Sequence, residues 1–419
     1  MINTKYLLIG SGHAALSAID GIRMQDEKGP ILMTGAEGRS PYSPTILPYI
    51  IAGKKDASKT ALKDEGFFKT RQVNFLEKDP VKALNSEMSR AYLESGKEVS
   101  YEKVLVATGA APQVPSIPGL EECPYDVLRT MEDALKIREK AKKAQSAIII
   151  GAGLIGMHLA EALISLGLKV TIVEALPHVL GAYFDEISSQ MIRQSFEERG
   201  VKILLGCSIS KAASGDGVCA LSLQNGIDLS ANMLIIATGV RPNTEILDKY
   251  VKKDKGILVD NLMKTSVDNV WAAGDVVQCK DFFEDKMVLN GILPNAAQQG
   301  LIAGRNMAGD KNVKPFKGSI AMNTFSFFGN KALSIGQVNN STNNSDLKED
   351  VILSSSSICY QKILYKEDRI RGVISINTQL DPGIFLRLIS DQISISEQKN
   401  LLGVSSLKAG RLMMSARWR

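Results

Sequence analysis

Two glycine clusters and two glutamates carry the most readable chemistry of this 419-residue chain. Residues 5–15 read K-Y-L-L-I-G-S-G-H-A-A, so that Gly10, Gly12 and Ala15 form G-x-G-x-x-A behind an apolar run. Residues 147–156 read A-I-I-I-G-A-G-L-I-G and place Gly151, Gly153 and Gly156 in the full G-x-G-x-x-G. Glycines at this spacing allow a tight turn and bring backbone N–H groups at a helix start close to a pyrophosphate. Glu37 and Glu174 stand further on, where a carboxylate accepts hydrogen bonds from a ribose. The chemistry encoded is the binding of two dinucleotides.

Such turns work only between a buried strand and a helix. The first needs a strand up to Ile9, a helix from near Ala14 and a second strand over Ile31–Thr34. The second needs a strand to Ile150, a helix to about Leu166 and the strand V-T-I-V ending at Glu174. A carboxylate at 174 pairs with a ribose 2′-hydroxyl and repels a 2′-phosphate. Ala175-Leu176-Pro177 supply no arginine and His178 is the only cation candidate nearby, so NADH is favoured over NADPH.

Composition narrows the classes. Lengths above about 300 residues exceed a single core, so two or three domains are expected. With 50 basic and 45 acidic residues the net charge is +5, without a dense basic stripe, which argues against nucleic acid. The apolar tract Ala147–Leu168 is interrupted by Gly151, Gly153, Gly156, His158 and Glu161, against a membrane span. Met1–Gly10 enter a strand and turn directly, leaving no room for a cleavable leader, and the chain is read as cytoplasmic. Cysteines at 123, 207, 219, 279 and 359 form no C-x-x-C, and with three histidines they give no metal-site spacing.

Further segments extend the pattern. Y-E-K-V-L-V-A-T-G ends at Ala107-Thr108-Gly109, L-I-I-A-T-G-V-R-P-N contains Gly239, and T-S-V-D-N-V-W-A-A-G-D ends at Gly274-Asp275. Asn295 and Ala296 open L-P-N-A-A-Q-Q-G-L-I-A-G-R-N-M-A-G. In this order the motifs resemble the FAD-dependent pyridine nucleotide-disulfide oxidoreductases. The resemblance implies an α/β fold of two Rossmann-like dinucleotide-binding domains, an NAD domain inserted in an FAD domain, plus a C-terminal α+β domain. Its FAD domain would comprise 1–115 and 245–315, its NAD(H) domain 116–244, and a C-terminal interface domain 316–419. Asp275 would bind the ribityl chain or pyrophosphate, and the helix start at Asn295 would face the flavin pyrimidine. The last hundred residues, with two short strands, a polar loop 339–350, a hairpin 359–377 and a helix 382–393, resemble the rubredoxin reductase and nitrite reductase flavoprotein branch.

Disulfide-type relatives carry a redox cysteine just before a G-L-P-Y stretch. Here S-P-Y-S-P-T-I-L-P-Y puts Thr45 at that position, and no cysteine precedes residue 123. Threonine forms no thiolate. Ferredoxin and rubredoxin reductases also lack that cysteine, although their Y-x-R-P arginine is missing here, with Ser43 and Pro44 in its place. The stretch is read as wall, with Tyr42 or Tyr49 covering the flavin.

The resemblance implies hydride exchange between NAD(H) and FAD, with few catalytic side chains. His158 replaces a glutamate common in the family near the nicotinamide and flavin; it is a candidate catalytic contact and equally a helix-packing residue. His13 is read as packing beside the FAD turn, and Arg241 as an anchor. The implied partner is a rubredoxin, ferredoxin or iron–sulfur subunit, with use as the NAD-linked flavoprotein of an anaerobic 2-oxoacid or aldehyde oxidoreductase complex. Two alternatives stand: a free-standing NADH oxidase producing peroxide, and a non-catalytic flavin-binding assembly or sensor subunit. The basic tail, with Lys408, Arg411, Arg417 and Arg419, offers a carrier dock, and Met413, Met414 and Trp418 a homo- or hetero-oligomer contact.

Overall fold

The computed structural model describes residues 1–215, 218–338, 347–353, 358–396, 408 and 410. Two compact units emerge. The first comprises Met1–Gln113, Leu128–Lys136 and Gly239–Ile320; the second comprises Val114–Val127, Ile137–Thr238 and the chain from Ala321 onward. The segment 128–136 thus groups with the first unit, and the region expected as a third domain from 316 groups, from Ala321, with the second.

The first unit is built on a sheet whose strands run 73–76, 31–34, 2–9, 98–106, 90–93 and 81–85, with 270–272 also paired to 98–106. Strands 73–76, 31–34, 2–9, 98–106 and 270–272 are parallel, and 90–93 and 81–85 add antiparallel edges. Central strand Ile2–Ile9 ends in four fully buried residues, the near-continuous apolar run that a sheet covered on both faces requires. On one face the helices His13–Arg23 and Leu293–Met307 cross closely. Glycine makes this approach possible: a Cβ on Gly300 would collide with the Ala14 carbonyl, and one on Gly304 with that of Ala18.

The second unit repeats the plan on a five-stranded parallel sheet ordered 202–204, 169–173, 146–150, 233–236 and 126–127. A three-stranded antiparallel meander, 209–215, 218–223 and 228–231, lies beside it in sequence. The C-terminal region forms an antiparallel sheet ordered 322–327, 330–336, 369–376, 360–366 and 347–353, with helix Pro382–Ser390 against its middle. The hairpin expected over 359–377 is present as Tyr360–Lys366 and Arg369–Ile376, and the helix ends at Ser390. Residues 347–350 of the expected polar loop belong to strand Leu347–Leu353, while 339–346 lie outside the described residues. Arg411, Met413, Met414, Arg417, Trp418 and Arg419 of the tail also lie outside the described residues.

Within this unit aromatic packing joins the C-terminal sheet to the parallel-sheet half. Phe325 meets the His158 ring at 4.7 Å and Phe328 meets Phe196 at 4.7 Å, with Arg199 over the Phe328 ring at 4.2 Å. A buried polar tie accompanies it: Tyr360 Oη donates to Asp185 at 2.6 Å, and Lys362 lies 3.3 Å from the same carboxylate. Asp185 is also the N-cap of helix Glu186–Glu197, accepting from the Ser188 amide. These contacts explain physically why the region from Ala321 joins the second unit.

Candidate functional site

The glycine turns of the two units are near copies. Gly10 has φ +114° and Gly151 φ +105°, the region that favours glycine. Each is clamped from two sides. Gly10 donates to Thr34 and Ala107 donates to Ile9, while Gly151 donates to Val173 and Ala237 donates to Ile150. A Cβ on Gly10 would strike the Ala107 carbonyl, and one on Gly151 the Ala237 carbonyl. The A-T-G strand ends therefore press directly against the first glycines of the turns. Gly156 is likewise closed, its Cβ position falling on the Gly151 carbonyl, and Ala15 at the matching place is fully buried.

The middle glycines behave differently. Gly12 and Gly153 are the N-caps of helices His13–Arg23 and Leu154–Ser165, and a Cβ on either would meet nothing within 4 Å. Neither helix start has a side-chain cap, nor does that of Leu293–Met307, whereas Asp64, Asp185 and Asp381 cap the helices beginning at 65, 186 and 382. Uncapped N–H groups at the positive end of a helix are anion donors in waiting.

In the first unit further groups gather at the strand ends. Asp275 follows Gly274, whose φ is +88° and whose amide donates to Gln299 Oε1 at 2.9 Å. Arg129 Nη2 donates to Asp275 Oδ2 at 3.2 Å and lies beside Gly109. Thr108 Oγ1 donates to the Asn243 carbonyl at 2.7 Å and Asn243 Nδ2 returns a bond to Thr108, which locks this A-T-G end. Asn295 is buried and donates to Ser319 Oγ at 2.7 Å, and Ala296 is buried beside it. His13 is part-buried; burial lowers its pKa and the nearby Asp275 opposes that shift.

The two acids are held in different ways. Glu174 directly follows its strand, and its carboxylate accepts from Ala152 N at 2.7 Å and Leu176 N at 2.8 Å. Glu37 stands three residues beyond Thr34 and reaches instead to Tyr42, whose hydroxyl donates to Oε2 at 2.6 Å. The Met131 amide completes this group, donating to Tyr42 Oη at 2.8 Å and to Glu37 Oε2 at 3.2 Å. Tyr42 is thus engaged with Glu37; burial, with that carboxylate second, pushes its pKa up. The stretch around it is a short 3-10 turn, Pro44–Ile46, running into helix Leu47–Ile51, with Thr45 exposed and bonded to Ser43 at 2.9 Å.

Several residues fall elsewhere. His158 lies in the second unit against Phe325, and burial brings its pKa down to about 4, so it is a neutral imidazole at ordinary pH. Gly239, with φ +120°, belongs to the first unit, where its carbonyl accepts from Gln113. Arg241 pairs with Glu245 on the surface. Arg129 is absent from the sequence-derived set, yet it had a signal. Thr130 and Asp133 exchange hydrogen bonds as a capping box, which marks the start of helix Met131–Ala141 and puts Arg129 at its entrance.

A family model for the pyridine nucleotide-disulphide oxidoreductases matches residues 4–300. The chain belongs to that family. Over its full 419 residues this oxidoreductase is 39% identical to the NADH-dependent phenylglyoxylate dehydrogenase subunit epsilon of Aromatoleum evansii, covering 100% of this chain and 99% of that protein. Rubredoxin-NAD(+) reductase of Pseudomonas putida is 26% identical over 312 residues, 74% of this chain and 81% of the relative. Putidaredoxin reductase, in its covalent complex with putidaredoxin, shares the fold with a TM-score of 0.85 over 99% of both chains at 22% identity. The protein is an FAD-dependent NAD(H) oxidoreductase of this family, and among its described residues no helix is long and apolar enough to cross a membrane.

Proposed function

We propose that the first-unit turn holds FAD, the second-unit turn holds NAD(H), and electrons pass on to a separate iron–sulfur or rubredoxin-type protein. The observation that carries this reading is the end-to-end likeness to a subunit named for an NADH-dependent dehydrogenase of a 2-oxoacid. It favours work as the NAD-linked flavoprotein of a 2-oxoacid oxidoreductase complex over work alone.

The residues support the division of labour. Gly10, Gly12, Ala15, Glu37, Ala107, Thr108, Gly109, Gly274, Asp275, Asn295 and Ala296 belong to one unit, and Gly151, Gly153, Gly156 and Glu174 to the other. FAD held by the first-unit residues would supply hydride acceptance from a nicotinamide and release of electrons one at a time. The uncapped start of Leu293–Met307 supplies N–H groups and a positive dipole end that favour developing negative charge. Burial pushes the Cys123 and Cys219 thiols up and Cys279 up to about 11, so these sulfurs stay protonated and offer no nucleophile. His158, neutral at ordinary pH, can serve the nicotinamide only as a hydrogen-bonding group.

The test mixes FAD-loaded protein with NADH and a purified rubredoxin or ferredoxin, without oxygen. NADH-dependent reduction of the carrier, faster than oxygen uptake measured in air, is expected. Oxygen uptake that outruns carrier reduction would instead make the chain a free-standing oxidase.

A further inference from the structure

Gln299, well inside helix Leu293–Met307, is 2% exposed, and its amide is tied to two other elements. Oε1 accepts from the Gly274 amide at 2.9 Å, and Nε2 donates to Cys279 Sγ at 3.4 Å. The amide faces this way because a backbone N–H can only donate. Gly274, at φ +88°, leads directly into Asp275, so the bond to its amide fixes the turn from which the Asp275 side chain leaves. Gly291 meets that side chain from another direction. A Cβ there would lie 3.0 Å from both Cγ and Oδ1 of Asp275, and its nearest heavy atoms all belong to Asp275. The φ of Gly291 is not positive, so the position needs a glycine for space and not for conformation. Arg129 occupies Oδ2 at 3.2 Å, and no described residue donates to Oδ1.

We infer that Gln299 and Gly291 are positioning residues for FAD that act through Asp275. The buried amide holds the Gly274–Asp275 turn, and the bare glycine leaves Oδ1 in place to accept a hydrogen bond from a hydroxyl of the cofactor. A hydroxyl suits this oxygen because a carboxylate repels the diphosphate. A methyl at 291 would push the carboxylate aside by a few tenths of an ångström, and loss of the Gln299 amide would release the turn that carries it. The inference rests on the assignment of FAD to the first unit and names what aims one of its side chains.

A double-mutant cycle tests the route, because residues that act through a shared partner do not add. Full-length Gln299→Met, Gly291→Ala and Asp275→Ala, and the two doubles carrying Asp275→Ala, are stripped of flavin and titrated with FAD by fluorescence quenching. Gly12→Val serves as the control for the site. Gln299→Met and Gly291→Ala should each weaken FAD binding about tenfold in the native background and no more than about twofold in the Asp275→Ala background. Gly291 is exposed, so its single methyl keeps the test open if the buried substitution does not fold. Losses that multiply in the doubles would overturn the inference, since a residue that only supports the fold weakens binding with or without Asp275. Full affinity in both single variants would overturn it as well. Full affinity in Gly12→Val would overturn the placement of FAD itself, whereas weakened binding there with full affinity in Asp275→Ala would overturn only the route through Asp275.

Discussion

Glu174 accepts a hydrogen bond from the Ala152 amide at 2.7 Å, tying the acid after one strand to the glycine turn after its neighbour. The carboxylate is therefore oriented before any nucleotide arrives, with a second amide, that of Leu176, on its other oxygen. Pre-orientation sharpens discrimination, because a fixed negative charge cannot swing away from a 2′-phosphate. Replacing Glu174→Ala together with Ala175→Arg should raise KM for NADH about tenfold and lower that for NADPH. Steady-state kinetics with both nucleotides check this, and unchanged selectivity would remove Glu174 from the site.

Gly153 and Gly156 are three residues apart and should respond oppositely to the same methyl. At Gly153 the backbone is extended, with φ −76°, and the methyl points into open space. Gly153→Ala should leave thermal stability unchanged while raising the NADH KM about tenfold, since the methyl occupies diphosphate space. At Gly156 the methyl meets the Gly151 carbonyl, so Gly156→Ala should cost about 1–3 kcal/mol of stability. Paired melting and nucleotide titrations distinguish the two.

The thiols should prove dispensable. Cys279 is buried, accepts weakly from Gln299 Nε2 at 3.4 Å and has its pKa raised to about 11, mainly by desolvation. Treating native protein with iodoacetamide at pH 7.5 should leave NADH-driven flavin reduction intact. Loss of that reduction, prevented by prior NADH, would point to a working cysteine instead.

His158 should leave an imprint on acid stability. Burial lowers its pKa from 6.5 to about 4, so the unfolded chain takes up the proton more readily. Its neutral-state contribution is complete above about pH 6.5 and is lost as pH falls from there through about 4. The Tm of His158→Phe, which retains an aromatic partner for Phe325, should therefore fall less steeply than wild type between pH 6.5 and 4.5. Parallel Tm curves would show that the imidazole is not buried as described.

How much was legible beforehand follows from the range of the forces involved. Gly10, Gly12, Gly151, Gly153 and Gly156 were readable because turn geometry is set within a few residues, and the flanking strands and helices followed from apolar runs. Glu174 was readable for the same reason, being the residue next to Val173. Glu37 was singled out beyond its strand, but its partner Met131 is 94 residues away and no local pattern announces it. Arg129 was missed because its partner Asp275 is 146 residues distant, although the capping box beside it marked the helix entrance. The grouping of the chain from Ala321 with the second unit depends on Phe325, Phe328 and Tyr360 finding His158, Phe196 and Asp185, which only the folded chain reveals.

The most direct test of the central claim is an anaerobic titration of FAD-loaded protein, following the long-wavelength flavin absorbance as NADH and then, separately, NADPH is added. The account predicts bleaching at about one NADH per flavin and far slower bleaching with NADPH. Bound flavin that keeps its absorbance with excess NADH would contradict it.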